Sequence, residues 1–561
     1  MIALIWKLLG YFVYLVYSSY NYQLAMKSQE KKLKIVFTSP VFVVFTMSIC
    51  ILLVNLIHVH LSRPYNSDDV SWQSTLLTWR PYTGSHAYLA GSDTFILKAP
   101  IFLLFNHFFE PSRRLLFAES AFFAVITFTL YYFSSLYFLG KMKIKLSYQN
   151  LLPFIWFASF GFAIGELYLN PILRNFEIGL AFFYFVMAAK VYYREIDLSL
   201  YRIRFYGIIA GIIAGALVYN DPYFLFFTLA PIAFLYAILW FRHKIDFRQM
   251  SFVAAVTVIG LVASKMVALA VSSSGVAPLF SLPVQFVAYD KFFSNVALTI
   301  HSVLYLFGAD FFGKVVLAPI TFIALLNLAI LIVILFSFYS QVSISVVRTK
   351  PSWQSYKLWG TFFACVSAFS LVTHAFSTLA VDIQTYRYLI IFAFSGVLVL
   401  SFFVGKMQKG KLLLTAIICL SILGNIASLF TSQQSKQSGA IDNIKNNSNF
   451  SLIATVNHLN LSKGYAPYWD GNINTYLSKG SVHFLPIICS ADRTIFMNYL
   501  VDASQYKTPV ARSFYLVDSD LKFPPTCSDT AILKQFGDPA KVVKVGNITI
   551  LIYDYDLGKR M

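Results

Sequence analysis

Time after time along this chain, a run of about twenty apolar residues gives way to a short loop carrying lysine or arginine, and no other feature restricts the fold as tightly. A helix of about twenty residues crosses the ~30 Å hydrocarbon core of a bilayer, where every backbone N–H and C=O must find its partner inside the segment. Eleven such runs lie near 35–60, 115–139, 151–169, 176–193, 205–219, 223–241, 251–271, 316–339, 357–378, 388–404 and 411–430. Residues 2–22 form a twelfth candidate, interrupted by Lys7 and rich in Tyr, which either spans or lies in the interface. No small-residue cleavage site follows it before the basic cluster, so it does not read as a cleaved signal. The expected fold class is an all-α polytopic membrane domain of 11–12 transmembrane helices over 1–430, followed by a small α/β domain over 431–561. Composition agrees: 58% hydrophobic and 12% charged residues with a mean hydropathy of +0.66 exclude a soluble chain.

Orientation follows from the basic residues, because Lys and Arg in short loops are retained on the cytoplasmic side. Alternate loops hold twenty of them: Lys27, Lys31, Lys32 and Lys34; Lys141, Lys143 and Lys145; Lys190, Arg194, Arg202 and Arg204; Arg242, Lys244 and Arg248; Arg348, Lys350 and Lys357; Lys406, Lys409 and Lys411. The intervening membrane-domain loops hold nine. The net charge of +19 would suggest a nucleic-acid partner in a soluble protein; here it sets topology, and no nucleic acid is expected. The opposite, extracytoplasmic face then receives a first outer loop over 61–114, a second long loop over 272–315, several tight turns and the tail.

In the tail, Ser, Asn, Gln and Lys near 432–449 read as a linker. Beyond it, Lys541–Val545 and Ile548–Tyr555 make a hairpin around Gly546 and Asn547, and Thr530–Phe536 a short helix. Cys489 and Cys527 either pair as a disulfide in a translocated domain or stay free, while Cys50, Cys365 and Cys419 lie in spans as apolar packing residues. Aromatics elsewhere are expected to face lipid or form interfacial belts.

The chemistry is sought on the outer face. Asp68 and Asp69 follow the first firm span; adjacent acids beside a membrane boundary need water, a cation or a donor, and one could accept a proton from an attacking hydroxyl. The bland alternative is a solvated loop with Ser67 or Asp68 capping a helix that begins near Val70. Arg174 and Glu177 share a short outer turn, Asp221 precedes Pro222 in another, and Arg387 lies in a third. An arginine at this level suits a phosphate, or else snorkels to the rim. Asp221-Pro222 reads first as a helix start, with Asp as cap and Pro as first residue. Glu119, Glu166 and Lys265 sit in the outer halves of spans and suggest a hydrated pocket; Lys265 either neutralises a phosphate or snorkels. Trp469 and Asp470, within Tyr465–Asn472, could stack on and hydrogen-bond to a sugar, or form a turn with core aromatics. His58, His60, His107 and His301 show no ligand spacing, and there is no Walker loop, dinucleotide fingerprint or nucleophile elbow.

The early acidic pair, the number of spans and a soluble tail on the same side resemble the membrane-embedded glycosyltransferases of the GT-C class, which includes protein O-mannosyltransferases, arabinosyltransferases and lipid A aminoarabinose transferases. The segment Tyr468–Ser478 is also similar to tails of uncharacterised bacterial members. The resemblance implies a GT-C-like fold in a bacterial cell membrane and transfer of a sugar from a polyprenyl-phosphate donor to an extracytoplasmic glycan, lipid or protein acceptor, with inversion, as is common in the class. It implies that Asp68 or Asp69 is the general base and that Arg387 or Arg174 holds the donor phosphate, with Lys265 as a further phosphate contact. Glu177, Asp221, Trp469 and Asp470 would bind substrate, Glu177 and Asp93 being candidates for a second acid. Some members of the class use a divalent cation, so Asp68 and Asp69 leave a metal open. The alternative function is a transporter or flippase of lipid-linked sugars, for which the outer charges would line a path; a third is a scaffold whose tail binds a partner.

Overall fold

The computed structural model of the chain describes residues 40–62, 67–78, 87–89, 95–141, 175–195, 200–278, 284–347, 355–406, 448–490, 492–497, 501–518 and 527–561. The first part contains helices α1 (Pro40–Ser62), α2 (Ser67–Thr78), α3 (Phe95–Phe108), α4 (Arg113–Lys141), α5 (Asn175–Tyr192), α6 (Leu200–Asn220), α7 (Pro222–Phe241), α8 (Phe247–Ser273), α9 (Phe292–Leu306), α10 (Pro319–Val347), α11 (Ser355–Phe376) and α12 (Ile390–Lys406), with short strands β1 (Ala87–Leu89) and β2 (Val276–Pro278). Six described segments are long and apolar enough to cross a membrane: Arg114–Lys141, Pro222–Phe241, Phe247–Ser273, Pro319–Gln341, Leu358–Phe376 and Thr385–Gly405. Val41–Ile57 and Phe205–Asn220 are shorter apolar helices. The expected runs at 151–169 and 411–430, and the segment 2–22, lie outside the described residues.

Helices α4 and α5 run side by side in the same direction. Phe123 meets Phe176 with ring centroids 5.5 Å apart, and further along Tyr131 meets Phe182 at 5.0 Å. Gly179 permits the approach, since a Cβ there would stand 3.1 Å from Thr127 Cα. Lys141 and Asn175 therefore lie at opposite ends of the pair.

At the Lys141 end, the loops read as cytoplasmic come together. Lys141 forms an ion pair with Glu195, and Arg194 lies 3.2 Å from Asp246. Asp246 and Gln249 form a reciprocal capping box at the start of α8, and Gln249 Nε2 also donates to Val191 O (2.7 Å) and Tyr192 O (3.0 Å) at the end of α5. One amide thus satisfies carbonyls that a helix terminus leaves without partners. The start of α11 joins them, with Trp359 6.4 Å from Tyr192 between ring centroids.

Between the two ends the bundle is welded by aromatic side chains. Tyr131 meets Phe394 at 4.5 Å and donates its hydroxyl to Phe394 O (3.0 Å), while Phe138 meets Phe363 at 5.0 Å. Many of the chain's aromatics therefore fill the interior between α4, α5, α11 and α12, a correction to their expected place at the lipid surface. Cys50 and Cys365 reverse the pattern: both are exposed, not interior packing residues.

Helices α6 and α8 cross closely because glycine recurs every fourth residue on α6. A Cβ at Gly211 would stand 2.5 Å from Ile259 Cγ2, and one at Gly215 would meet Ala263 Cβ at 2.5 Å and the backbone of Gly260 and Ser264 at 2.8 Å. Small residues at this spacing let membrane helices pack backbone to backbone.

The second outer stretch is not the plain loop expected over 272–315. It contains α9, whose buried face holds Asn295, Thr299, Ser302 and Val303, while Phe293 and Ile300 are exposed. The apolar positions on both faces fit a helix lying against the ends of the spans, one face on protein and the other at the lipid interface.

The C-terminal part comprises α13 (Ser448–His458), β3 (Lys463–Pro467), α14 (Tyr468–Leu477), β4 (His483–Ser490), β5 (Arg493–Phe496), β6 (Val501–Asp502), α15 (Ser504–Lys507), β7 (Ser513–Asp518), α16 (Asp529–Phe536), β8 (Lys541–Val545) and β9 (Ile548–Tyr553). A mixed six-stranded sheet has the order β5-β4-β3-β7-β9-β8, with β3 parallel to β4 and β7. The β8–β9 hairpin forms around Gly546, whose φ of 60° suits glycine, and α16 begins one residue before the expected helix, capped by Ser528. Gly464 lets β3 pass the Phe514 ring, which a Cβ would meet at 2.2 Å. Cys489 and Cys527 are joined in a disulfide. Lys463 is buried, its Nζ donating to Thr508 O (2.8 Å), Tyr506 O (3.1 Å) and Asp556 Oδ2 (3.3 Å), and Tyr465 donates to Asp556 Oδ1 (2.9 Å). A buried ammonium with three acceptors is tolerated where an unpaired one is not.

Candidate functional site

Chain segments hundreds of residues apart meet at the end of the bundle opposite Lys141. The 29 residues of α4 separate the two ends by ~43 Å at ~1.5 Å per residue. Helix α14, the crossover between parallel strands β3 and β4, lies against α2, the helix that carries Asp68 and Asp69 in its first turn. Ser67 ties the two starts together: its Oγ donates to Trp469 O (2.8 Å) and accepts from Ile473 N (3.3 Å). Two turns further along α2, Ser74 Oγ donates to Asn472 Oδ1 (2.9 Å). Ser112, just before α4, donates its N–H to Tyr476 OH (3.3 Å), and Lys479 forms an ion pair with Glu110. A three-stranded sheet adds a second joint, β1 pairing parallel with β2 and antiparallel with β6, so that both outer stretches and the tail share one side of the bundle.

Ser67 is thus fully buried as a clasp between two helices. The backbone positions of Asp68 and Asp69 follow it, beside the start of α14; their side chains lie outside the described residues. The stretch around Trp469 and Asp470, read as a sugar-stacking segment or as a turn with core aromatics, is the passage from β3 into α14, with Tyr465 and Tyr468 buried and Trp469 and Asp470 partly exposed.

Two carboxyl groups at this junction lack ordinary partners. Glu119, in the second turn of α4, is fully buried; its neighbours are the Gln73 side chain of α2 and the Tyr476 ring of α14. Neither carboxyl oxygen of Glu119, nor either amide atom of Gln73, makes a well-formed hydrogen bond among the described residues. Asp470 Oδ2 is likewise sealed from solvent without a hydrogen-bond partner. Burial, with a smaller contribution from the Asp518 charge, pushes the Asp470 carboxyl up to about 7. Natural interiors pair nearly all their polar atoms, so these groups at one three-helix joint make it a candidate site. Glu119 was legible as an ionisable residue in the outer half of a span. Gln73 carried no signal, since glutamine in a polar loop is commonplace.

A second group forms at the same end. Asp221 caps α7, its Oδ1 accepting from Tyr223 N at 3.0 Å with Pro222 as first residue, which is the helix-start role its dipeptide suggested. Tyr223 OH donates to Tyr388 O, and the Arg387 guanidinium lies 5.4 Å from the Tyr388 ring centroid. Asp221 and Arg387 are thereby drawn together across 166 positions of sequence, that is, 387 minus 221. The 3-10 turn Ile383–Leu389 that presents Arg387 is pinned by His374, whose ring nitrogens lie 2.9 Å from Thr299 Oγ1 of α9 and 3.2 Å from Thr385 Oγ1. Glu177 is buried in the first turn of α5, next to Phe176, which touches Phe123 one turn beyond Glu119. The α5 helix then reaches α7 through Tyr184 and Phe224, 5.4 Å apart. It therefore stands between the Glu119 group and the Asp221–Arg387 group.

Lys265 joins neither group. It is exposed on α8 beside Met266, Leu261 and Leu269, an outward apolar face where a lysine stem snorkels. Arg174, Glu166 and Asp93 lie outside the described residues. Among the described residues, no group of three or more His, Cys, Asp or Glu gathers to hold a metal ion.

Fold and site define a polytopic membrane protein with a small sheet-containing C-terminal part clasped to one end of its helices. No protein-family model matches the chain, and no curated protein is significantly similar to it.

Proposed function

We propose that the chain is an integral-membrane glycosyltransferase that moves a sugar from a polyprenyl-phosphate donor to an acceptor outside the cytoplasm. The observation that carries this reading is the docking of the acid-bearing start of α2 on α14, at a joint that buries Glu119 beside Gln73, and one oxygen of Asp470, without a well-formed hydrogen bond among the described residues. In this reading Asp68 or Asp69 takes the proton of the acceptor hydroxyl. The acceptor oxygen then forms its bond to the anomeric carbon as the carbon–oxygen bond to phosphate breaks, and the phosphate leaves with the electron pair on the lipid. Arg387 or Arg174 offers paired donors to that phosphate. Glu177, Trp469 and Asp470 line the approach of the sugars.

The Cys489–Cys527 disulfide supports a tail on the oxidising side of the membrane, and the basic end formed by Lys141, Lys190 and Arg194 supports a cytoplasmic position for the other. The test uses membranes containing Asp68→Asn or Asp69→Asn protein and radiolabelled polyprenyl-phosphate sugars. At least one variant is expected to accumulate normally and lose transfer by ~100-fold or more. Wild-type transfer by both rejects the assignment of the base. Movement of the intact lipid-linked sugar without bond cleavage identifies a transporter instead.

A further inference from the structure

At the basic end, the charges of the described residues do not pair off evenly. The Glu195 carboxylate is held by Lys141 and by Tyr137 OH, which donates to Oε2 at 3.2 Å, and the Asp246 carboxylate is held by Arg194 at 3.2 Å while also capping α8. Lys190 is left with no carboxylate among the described residues. Its Nζ lies 5.7 Å from the Tyr137 ring centroid, and Lys141 Nζ lies 5.5 Å from the same ring. Two ammonium groups thus lie near one aromatic ring, and the one carboxylate placed there is paired with Lys141.

We infer that Lys190 and Lys141 hold the phosphate of an anionic phospholipid, in the leaflet opposite the tail. Both lysines end apolar helices, α4 and α5, and both are only partly exposed, so the ammonium groups stand at the level where a bilayer keeps its headgroups. A partly buried ammonium with a like charge beside it, and no carboxylate on it among the described residues, is unfavourable. A phosphodiester supplies the missing negative charge and acceptors for both Nζ groups, whereas water supplies no charge. The Tyr137 ring, within about 6 Å of both Nζ groups, stabilises the cations. A lipid is the fitting source of the phosphate because both lysines stand in the last turns of apolar helices, at the end that gathers the basic loops, and basic pockets on the cytoplasmic side receive headgroups.

The experiment titrates fluorescent phosphatidylglycerol into the purified full chain in neutral detergent. Lys190→Met keeps the stem and removes the charge; it is expected to weaken binding ~tenfold, the loss of one charge-assisted hydrogen bond. Lys190→Arg is expected to stay within ~twofold of wild type, because the charge and the donors remain. Phosphatidylcholine is expected to bind wild type and variant equally weakly. Lys190→Gln replaces the methionine variant if that protein fails to accumulate. Unchanged phosphatidylglycerol binding in the neutral variant overturns the proposal, as does the absence of any preference for phosphatidylglycerol in wild type. Displacement of the lipid by inorganic phosphate at millimolar levels makes the site one for free anions and overturns the lipid assignment.

Discussion

Replacing Asp470 by Asn tests whether the joint between α2 and α14 carries a buried acid. Burial pushes this carboxyl from 3.8 to about 7, so the folded protein holds the proton more tightly than the unfolded chain does. For a raised carboxyl, the stability associated with the proton is fully present below the unfolded value. It is lost as pH rises through the folded value, and nothing further changes above that. The whole window, 7 minus 3.8, corresponds to ~4 kcal/mol at ~1.36 kcal/mol per pH unit. About 2.5 kcal/mol of that falls between pH 5 and pH 8, because the unfolded chain has begun to ionise before pH 5. Asparagine has no such dependence; whatever its amide loses or gains in hydrogen bonding is the same at both pH values. The variant should therefore gain on wild type by about 2.5 kcal/mol from pH 5 to pH 8, or ~10 °C in unfolding midpoint at ~4 °C per kcal/mol for a unit of roughly a hundred residues. Thermal unfolding in detergent, followed by intrinsic fluorescence and by protease sensitivity of the tail, reads the difference. A gap between variant and wild type that stays constant to within ~0.5 kcal/mol across that range refutes the reasoning, because the carboxyl would then titrate as an exposed one.

Three further outcomes follow from the packing. On α6, Gly215→Ala should destabilise the protein by ~1–3 kcal/mol because its Cβ would collide with the backbone of α8, whereas Gly207→Ala, whose nearest neighbour is a Phe252 ring atom at 3.7 Å, should be tolerated; unfolding midpoints compare the two. The paired mutation of Cys489 and Cys527 to Ser should cost the tail ~2–4 kcal/mol, and mass spectrometry after alkylation under denaturing conditions should label these two positions only when a reductant is present. Lys463→Met should cost ~3–5 kcal/mol by leaving Asp556 buried without its cation, and Asp556→Asn in the same chain should recover part of the loss in the same unfolding assay.

The membrane helices were readable because hydrocarbon admits so few alternatives: the runs over 35–60, 115–139, 176–193 and the later described ones are helices, and the alternation of basic loops matches the gathering of Lys141, Arg194 and Arg248 near one end. The tail hairpin was readable from its turn residues. What escaped notice was of two kinds. Some signals were present but unused, such as Gly207, Gly211 and Gly215 at a spacing of four, and the period of Asn295, Thr299, Ser302 and Val303 that makes α9 a helix instead of a loop. Others had no local signal. Ser67 touching Trp469 and Ile473, or Gln73 beside Glu119, depends on the tail folding back onto the first outer loop, and no periodicity encodes a contact across some 400 positions. The positions of Asp221 and Arg387 near each other belong to the same kind, since each lies in a turn whose neighbours are set by helix packing.

The small sheet of β1, β2 and β6 carries a consequence for biogenesis. Its middle strand, Ala87–Leu89, is synthesised early, yet one of its two neighbours, Val501–Asp502, emerges only when most of the polypeptide has left the ribosome. Until then one edge of that strand has no partner, and unpaired strand edges recruit foreign ones. Truncation before residue 501 would strand an open edge outside the lipid, making nascent chains that stall in the tail a target for quality control instead of a partly working protein.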